Sequence, residues 1–247
     1  MNTSEHPTRT THRACANCEK RSEGFFCNLP ESSSKRLSSL GSSQVYPRGS
    51  TIFMEGQPAD GVYLLCDGRA KLSTYSEEGR AIILRIAQPG EVLGLGAVLS
   101  AAAYEKSARA SEDCSIKFIK KKDFLEVVRT DHGVALKALE QLTTNYRKAH
   151  QQICSLGLSL SAADKLARLL LQWSDASSNG GAVYISRTHT HGEIAEMIGT
   201  SRETVTRLLK EFKDRRLITL TKTELCIPSR AKLKAAIGTR YGGKNCR

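Results

Sequence analysis

The 247-residue chain contains no apolar run of about 18 residues, the length at which a helix begins to span a bilayer. Its first stretch, Met1 to Arg13, is polar and threonine-rich and lacks the apolar core of a secretory signal. Together these absences predict no membrane partner and a cytoplasmic location. Three catalytic signatures are missing as well: a phosphate-cradling P-loop, a G-x-S-x-G elbow and an H-E-x-x-H pair. An enzyme is therefore not expected. A disulfide framework is also disfavoured, because a reducing compartment keeps thiols reduced. The eight cysteines then read as thiols or metal ligands.

What the chain does have is positive charge, unevenly placed. The net charge is +12, and residues 187–247 alone hold fourteen Lys and Arg against six Asp and Glu. A basic surplus gathered at one end is the footprint of phosphate binding. A hydrophobic content of 40% over this length suffices to build two domain cores.

Within the basic region, Val205, Leu208, Leu209 and Phe212 recur at i, i+3, i+4, i+7, the spacing of a packed helical face. Ser201, Arg202, Glu203, Thr206, Arg207 and Lys210 fall on the polar remainder of that helix. An arginine there can donate two hydrogen bonds to a guanine edge, and a glutamate can accept from cytosine N4. Glu203 and Arg207 stand one turn apart, so each can hold the other's side chain extended. Just upstream, Thr190 and Glu193 fit a capping box. Ile194, Ala195 and Ile198 make an apolar face, and Gly199 sits where a helix stops. Two helices joined by a glycine-containing turn describe a helix-turn-helix. Leu217–Ile227 alternates like a β-hairpin, which makes the unit winged. His189 and His191 open the first helix, where a phosphate contact is available.

Four segments follow from the pattern. Residues 1–36 form a polar, cysteine-containing arm ending in a serine-rich link at Ser32–Ser34. In residues 37–125, glycines punctuate short β-rich runs (Val62–Leu65, Ala81–Ile86, Ser115–Ile119), an all-β roll. Residues 126–160 hold Ala135, Leu139, Leu142, Tyr146, Ala149, Ile153, Leu156 and Leu160 at alternating spacings of four and three. That heptad seam wants a partner helix, and a homodimer supplies one. Residues 161–247 form the winged helix-turn-helix. The fold class is thus α+β. A two-fold dimer presents two reading helices to double-stranded DNA about one helical turn apart, which implies a palindromic operator.

The arm carries Cys15-x2-Cys18-x8-Cys27, with Phe25 and Phe26 directly before the third cysteine. A tight C-x2-C pair chelates from one side, and four thiolates suit an iron–sulfur cluster or zinc equally well. The fourth ligand must come from elsewhere. Bare thiols acting as a redox switch remain open beside both metals. Cys66, Cys154, Cys226 and Cys246 have no ligand-like spacing and read as buried small residues or a tail thiol. His6 and His12 are not assigned to a metal.

From about Gly41 to Ala236 the chain resembles the CRP/FNR superfamily of bacterial transcription regulators. The run Ser201–Leu209 (Ser-Arg-Glu-Thr-Val-Thr-Arg-Leu-Leu) is close to the CRP recognition helix, and Phe53–Gly56 and Tyr63–Gly68 resemble the superfamily's β-roll. The resemblance implies a cyclic-nucleotide-binding-like jelly roll, a long dimerisation helix and a winged helix-turn-helix. It implies operator reading by Arg202, Glu203 and Arg207, with a half-site nearer the CRP type, and RNA polymerase as a further partner. FNR-type proteins place a distant cluster cysteine where Cys114 stands, so the resemblance implies a [4Fe–4S] cluster on Cys15, Cys18, Cys27 and Cys114, sensing oxygen, nitric oxide or redox state. Zinc is the alternative metal. The arm departs from FNR in its longer last gap. For cyclic-nucleotide sensing the match is poorer: Leu95 stands where the family's ribose-binding glutamate would be. Lys106 replaces the phosphate-binding arginine and loses its bidentate fork.

Overall fold

The computed structural model describes residues 24–79, 81–158, 161–175, 182–186, 189–221 and 224–237. They fall into two units, one reaching to Thr74 and resuming over Arg85–Tyr146, the other holding Tyr75–Leu84 and the chain from Arg147 onward. In chain order the elements are α1 (Glu31–Ser39), β1 (Ser42–Tyr46), β2 (Thr51–Phe53), β3 (Gly61–Asp67), β4 (Ala70–Tyr75), β5 (Ala81–Ala87), β6 (Val92–Leu93), α2 (Leu95–Leu99), β7 (Ser107–Ala110) and β8 (Cys114–Lys120). After these come α3 (Lys121–Thr130), α4 (His132–Leu158), α5 (Ala162–Asp175), β9 (Val183–Ser186), α6 (His191–Ile198), α7 (Arg202–Asp214), β10 (Thr219–Leu220), β11 (Glu224–Ile227) and α8 (Arg230–Ala235).

The first unit is the expected β-roll. One sheet runs β1-β8-β3-β6 and the other β2-β7-β4-β5. β8 pairs antiparallel with β1 and β3, and β7 with β2 and β4. Val62, Leu65, Leu72, Ile116 and Ile119 fill its core, and Phe124 on α3 closes it.

The serine-rich stretch expected as a link is instead the helix α1. Serine is a modest helix former, so packing decides here: Leu37, Ser33 and Ser34 are buried. The ammonium of Lys117 on β8 donates to the Ser38 carbonyl near the end of α1. Ahead of it, Gly24–Asn28 docks on the roll, where the Phe26 N–H donates to the Gly90 carbonyl at 3.0 Å. Gly24 and Gly90 approach so closely that a Cβ on either would lie 2.4 Å from the other's Cα. Only glycine fits at both.

Helix α4 buries Val134, Ala138 and Gln141 on one side, while Leu136, Leu139, Tyr146 and Ile153 are between 59% and 72% exposed. Of the heptad positions, Leu139, Tyr146 and Ile153 are therefore uncovered, and Leu142 packs against the roll's core. Leu156 and Leu160 lie outside the residues whose side chains are described. Among the described residues no helix is long and apolar enough to cross a membrane.

In the second unit, α5 buries Leu166, Ala167 and Leu170 beside the helix pair α6 and α7. The expected hairpin forms between β10 and β11, and β9 joins it in a three-stranded sheet ordered β10-β11-β9.

Candidate nucleic-acid interface and cysteine positions

The helix-turn-helix is built as its residues dictate. The Thr190 hydroxyl accepts from the Glu193 amide at 3.2 Å, and the Glu193 carboxylate accepts from the Thr190 amide at 2.8 Å. Both amides of the capping box are thereby satisfied. Gly199 ends α6 in the left-handed conformation at φ 63°. Two residues later the Ser201 hydroxyl caps α7, accepting from the Thr204 amide at 3.2 Å.

Val205, Leu208, Leu209 and Phe212 are all buried, whereas Ser201, Arg202, Glu203, Thr206, Arg207 and Lys210 are all exposed. The sequence-derived division of this helix into two faces is what the structure has. No Glu203–Arg207 ion pair forms, however. Glu203 is held below the usual carboxylate range first by its own backbone N–H, then by the Ser201 hydroxyl and the nearby Arg202 charge. The Glu203 carboxylate is thus engaged at the helix start, and Arg207 is exposed.

Thr206 has two polar neighbours. Its Oγ1 lies 3.0 Å from the Arg202 carbonyl, one turn back, and 2.9 Å from His191 Nδ1 on α6. Nothing in the sequence pattern pairs residues 191 and 206, since the contact depends on how two helices cross. Nearby, the ring of His189 packs 4.9 Å from Trp173, the only tryptophan.

The cysteine positions divide. Cys15 and Cys18 lie outside the described residues. Cys27 is half-buried in the Gly24–Asn28 turn, its N–H donating to the Gly24 carbonyl at 3.1 Å. Cys114 opens β8, fully buried, with Sγ 3.2 Å from the carbonyls of both Arg69 and Glu112. Burial pushes its thiol pKa up, against the hydrogen bonding. Arg69 and Glu112 are joined by a paired salt bridge at 2.6 and 3.0 Å, which fixes both carbonyl-bearing residues. Among the described residues no group of three or more His, Cys, Asp or Glu is arranged to hold a metal.

At the segment considered for nucleotide binding, Leu95 is buried at the start of α2. Lys106 Nζ faces Glu105 at 3.5 Å. That carboxylate lies 3.9 Å from where a side chain on Gly96 would begin. Glu91 is buried and paired with Arg85, and it also accepts from the Gln88 amide at 3.1 Å.

Comparison with known proteins supplies a frame for these sites. A cyclic nucleotide-binding domain model matches residues 43–131, and a Crp-like helix-turn-helix domain model matches residues 164–236. The chain is 25% identical over 190 residues to the CRP-like cAMP-activated global transcriptional regulator of Mycobacterium tuberculosis, covering 76% of this chain and 84% of that protein. It is 28% identical over 179 residues to the cAMP-activated global transcriptional regulator CRP of Salmonella typhimurium, covering 70% and 83%. Among solved structures, FixK2 from Bradyrhizobium japonicum superposes with a TM-score of 0.68 at 22% identity, over 79% of this chain and 96% of that one. That likeness shows a shared fold.

Proposed function

We infer that the chain, which belongs to the CRP/FNR superfamily of bacterial transcription regulators, is a sequence-specific DNA-binding regulator that reads a palindromic operator as a homodimer. Helix α7 carries this reading: one face is sealed in the core while Arg202, Glu203, Arg207 and Lys210 stand exposed on the other. Arg207 and Arg202 suit guanine edges, Glu203 suits cytosine N4, and Lys210 and Ser201 suit the phosphates beside them. The uncovered Leu139, Tyr146 and Ile153 stripe on α4 supports self-association, and RNA polymerase is the further partner of this reading. Selection from a random pool of duplexes tests the reading. Enrichment of a two-fold symmetric site is expected, and enrichment of no sequence refutes it.

For the signal, our reading is a [4Fe–4S] cluster on Cys15, Cys18, Cys27 and Cys114, with zinc on the same thiolates as the alternative. Such a cluster supplies a centre that oxygen or nitric oxide destroys. Cys27 suits the role, being half-exposed on a turn whose neighbour Phe26 is anchored in the core. Cys114 suits it less well. Its thiol must shed a proton that burial retains and turn away from the carbonyls of Arg69 and Glu112. Anaerobic purification followed by iron, sulfide and zinc analysis decides between the metals. Metal-free protein refutes both. Retention of iron by Cys114→Ser removes Cys114 from the set.

A second reading, gating by a cyclic nucleotide, draws support from relatives named as cAMP-activated. Against it, buried Leu95 offers no acceptor to a ribose hydroxyl, and Glu105 sets a negative charge beside Lys106. Titration with cyclic AMP and cyclic GMP is expected to leave Tm unchanged. A saturable rise would establish this reading instead.

A further inference from the structure

We propose that His191 is a positioning residue for operator recognition: it donates to Thr206 across the helix pair, and this bond sets the aim of α7 rather than leaving Thr206 to donate to a base. The inference rests on the assignment of α7 as the reading helix and concerns its specificity.

Proton count sets the direction of this bond. A threonine hydroxyl has one proton to donate and two lone pairs to accept with. Thr206 Oγ1 lies 3.0 Å from the Arg202 carbonyl, which can only accept. Both contacts are hydrogen bonds at once only when the hydroxyl proton points back along the helix, a familiar i−4 bond for threonine. Toward His191 Nδ1, at 2.9 Å, the same oxygen must accept, so Nδ1 carries a proton. Both the neutral Nδ1–H tautomer and the imidazolium supply it. The result is a directed chain: His191 N–H to Thr206 O, and Thr206 O–H to the Arg202 carbonyl.

Two consequences follow for recognition. The chain ties the first residue of α6, whose start is fixed by the Thr190–Glu193 capping box, to the middle of the exposed face of α7. It also ends on the backbone of Arg202, one of the base-reading candidates. A rotation or slide of α7 against α6 breaks the chain, so the chain resists the displacements that misaim Arg202 and Arg207. In addition, Thr206 keeps no proton for DNA. It can offer a base only a remaining lone pair or its methyl group, which suits cytosine N4, adenine N6 or the thymine methyl, and gives nothing to a guanine O6 or N7.

The test uses the full chain and a palindromic duplex that the wild-type protein selects from a random pool, alongside that duplex with single base changes. The quantity read is the ratio of affinities, selected over changed. His191→Ala and Thr206→Val are each expected to lower this ratio about three- to tenfold. The double variant is expected to lose no more than either alone, because both break one chain. His191→Asn, whose amide N–H stands near the position of Nδ1, is expected to restore the ratio. A merely structural loss moves Tm and lowers affinity for selected and scrambled duplexes together, leaving their ratio intact. That pattern overturns the proposal, as does full additivity in the double variant. If the wild-type protein selects no sequence, the reading of α7 itself fails. If it selects one and the variants discriminate as well as it does, only the role of His191 fails.

Discussion

Gln141 is fully buried on α4, and its side-chain amide forms two bonds with one residue of the roll: Oε1 accepts from the Val92 amide at 2.8 Å, and Nε2 donates to the Val92 carbonyl at 2.7 Å. β6 is the last strand of its sheet, so its outward N–H and C=O groups have no further strand. Gln141 takes the place of that strand. Gln141→Leu keeps the bulk and removes both bonds. Each buried backbone group left unpaired costs about 1–3 kcal/mol, and the leucine regains part of that by apolar burial. The net loss is about 2–4 kcal/mol, which for a chain of this size lowers Tm by about 5–15 °C. Urea denaturation followed by circular dichroism reads the change as a lower midpoint with an unchanged slope. Gln141→Glu gives a second arm. Its carboxylate still accepts from Val92 but donates to the carbonyl only when protonated, and burial raises its pKa in the folded state. Its contribution is therefore complete at acid pH and is lost as pH rises through that raised value. A Gln141→Leu protein within about 0.5 kcal/mol of wild type would refute this account and mean that water serves Val92 as well as the amide does.

Three further outcomes are expected. Asp131 accepts from the Ser33 hydroxyl at 3.0 Å and from the Val134 amide at 3.2 Å at the start of α4, so Asp131→Ala should cost about 0.5–2 kcal/mol in thermal or urea unfolding. Burial raises the pKa of Asp131, but hydrogen bonds from Ser33, Val134 and Gly133 prevail and hold it below the ordinary value. Its contribution is thus present above the unfolded carboxylate value of about 3.9 and is lost as pH falls below it. Charging the exposed stripe with Leu139→Glu and Ile153→Glu together should convert dimer to monomer in analytical ultracentrifugation without lowering the Tm of the monomer. Arg207→Ala should weaken operator binding by about 1–3 kcal/mol and relax preference at one base pair; equal weakening on all duplexes would make Arg207 a phosphate contact.

The helix-turn-helix was legible because its signals are local. Thr190, Glu193, Gly199 and the apolar positions of α7 are close neighbours in the chain, and the capping box and the two helical faces form as their spacing dictates. The roll was legible as a class, since aliphatic runs between left-handed glycines leave few alternatives. What escaped the sequence depends on distant partners. α1 is helical despite Ser32, Ser33 and Ser34 because Leu37 is buried and β8 supplies Lys117 to its final turn. β9 is four residues long, too short to show a period, and is defined by its pairing with β11. Gln141 lies off the heptad seam, and only the unpaired edge at Val92 gives a polar residue reason to be buried there. The bond between His191 and Thr206 likewise needs the crossing of α6 and α7. Local chemistry can be read along the chain; a polar group's partner across the fold cannot.

The route from the arm to α4 follows from the same bonds. Phe26 donates to Gly90, and Gly90 in turn donates to the Leu65 carbonyl at 2.7 Å. Two residues on, Val92 is held by Gln141 of α4. Separately, α1 reaches the start of α4 through Ser33 and Asp131. Cys27 stands between these two attachments, next to Phe26 and ahead of α1. The first stretch of α4 is thus tied to the arm's end at two places. Each tie is worth about 1 kcal/mol, so the coupling this route can transmit is about 1–3 kcal/mol. That is enough to shift a population several-fold and well short of the roughly 5.5 kcal/mol of an all-or-none switch. On the proposed reading of the arm as the sensor, a coupling of this size grades a response rather than abolishing it.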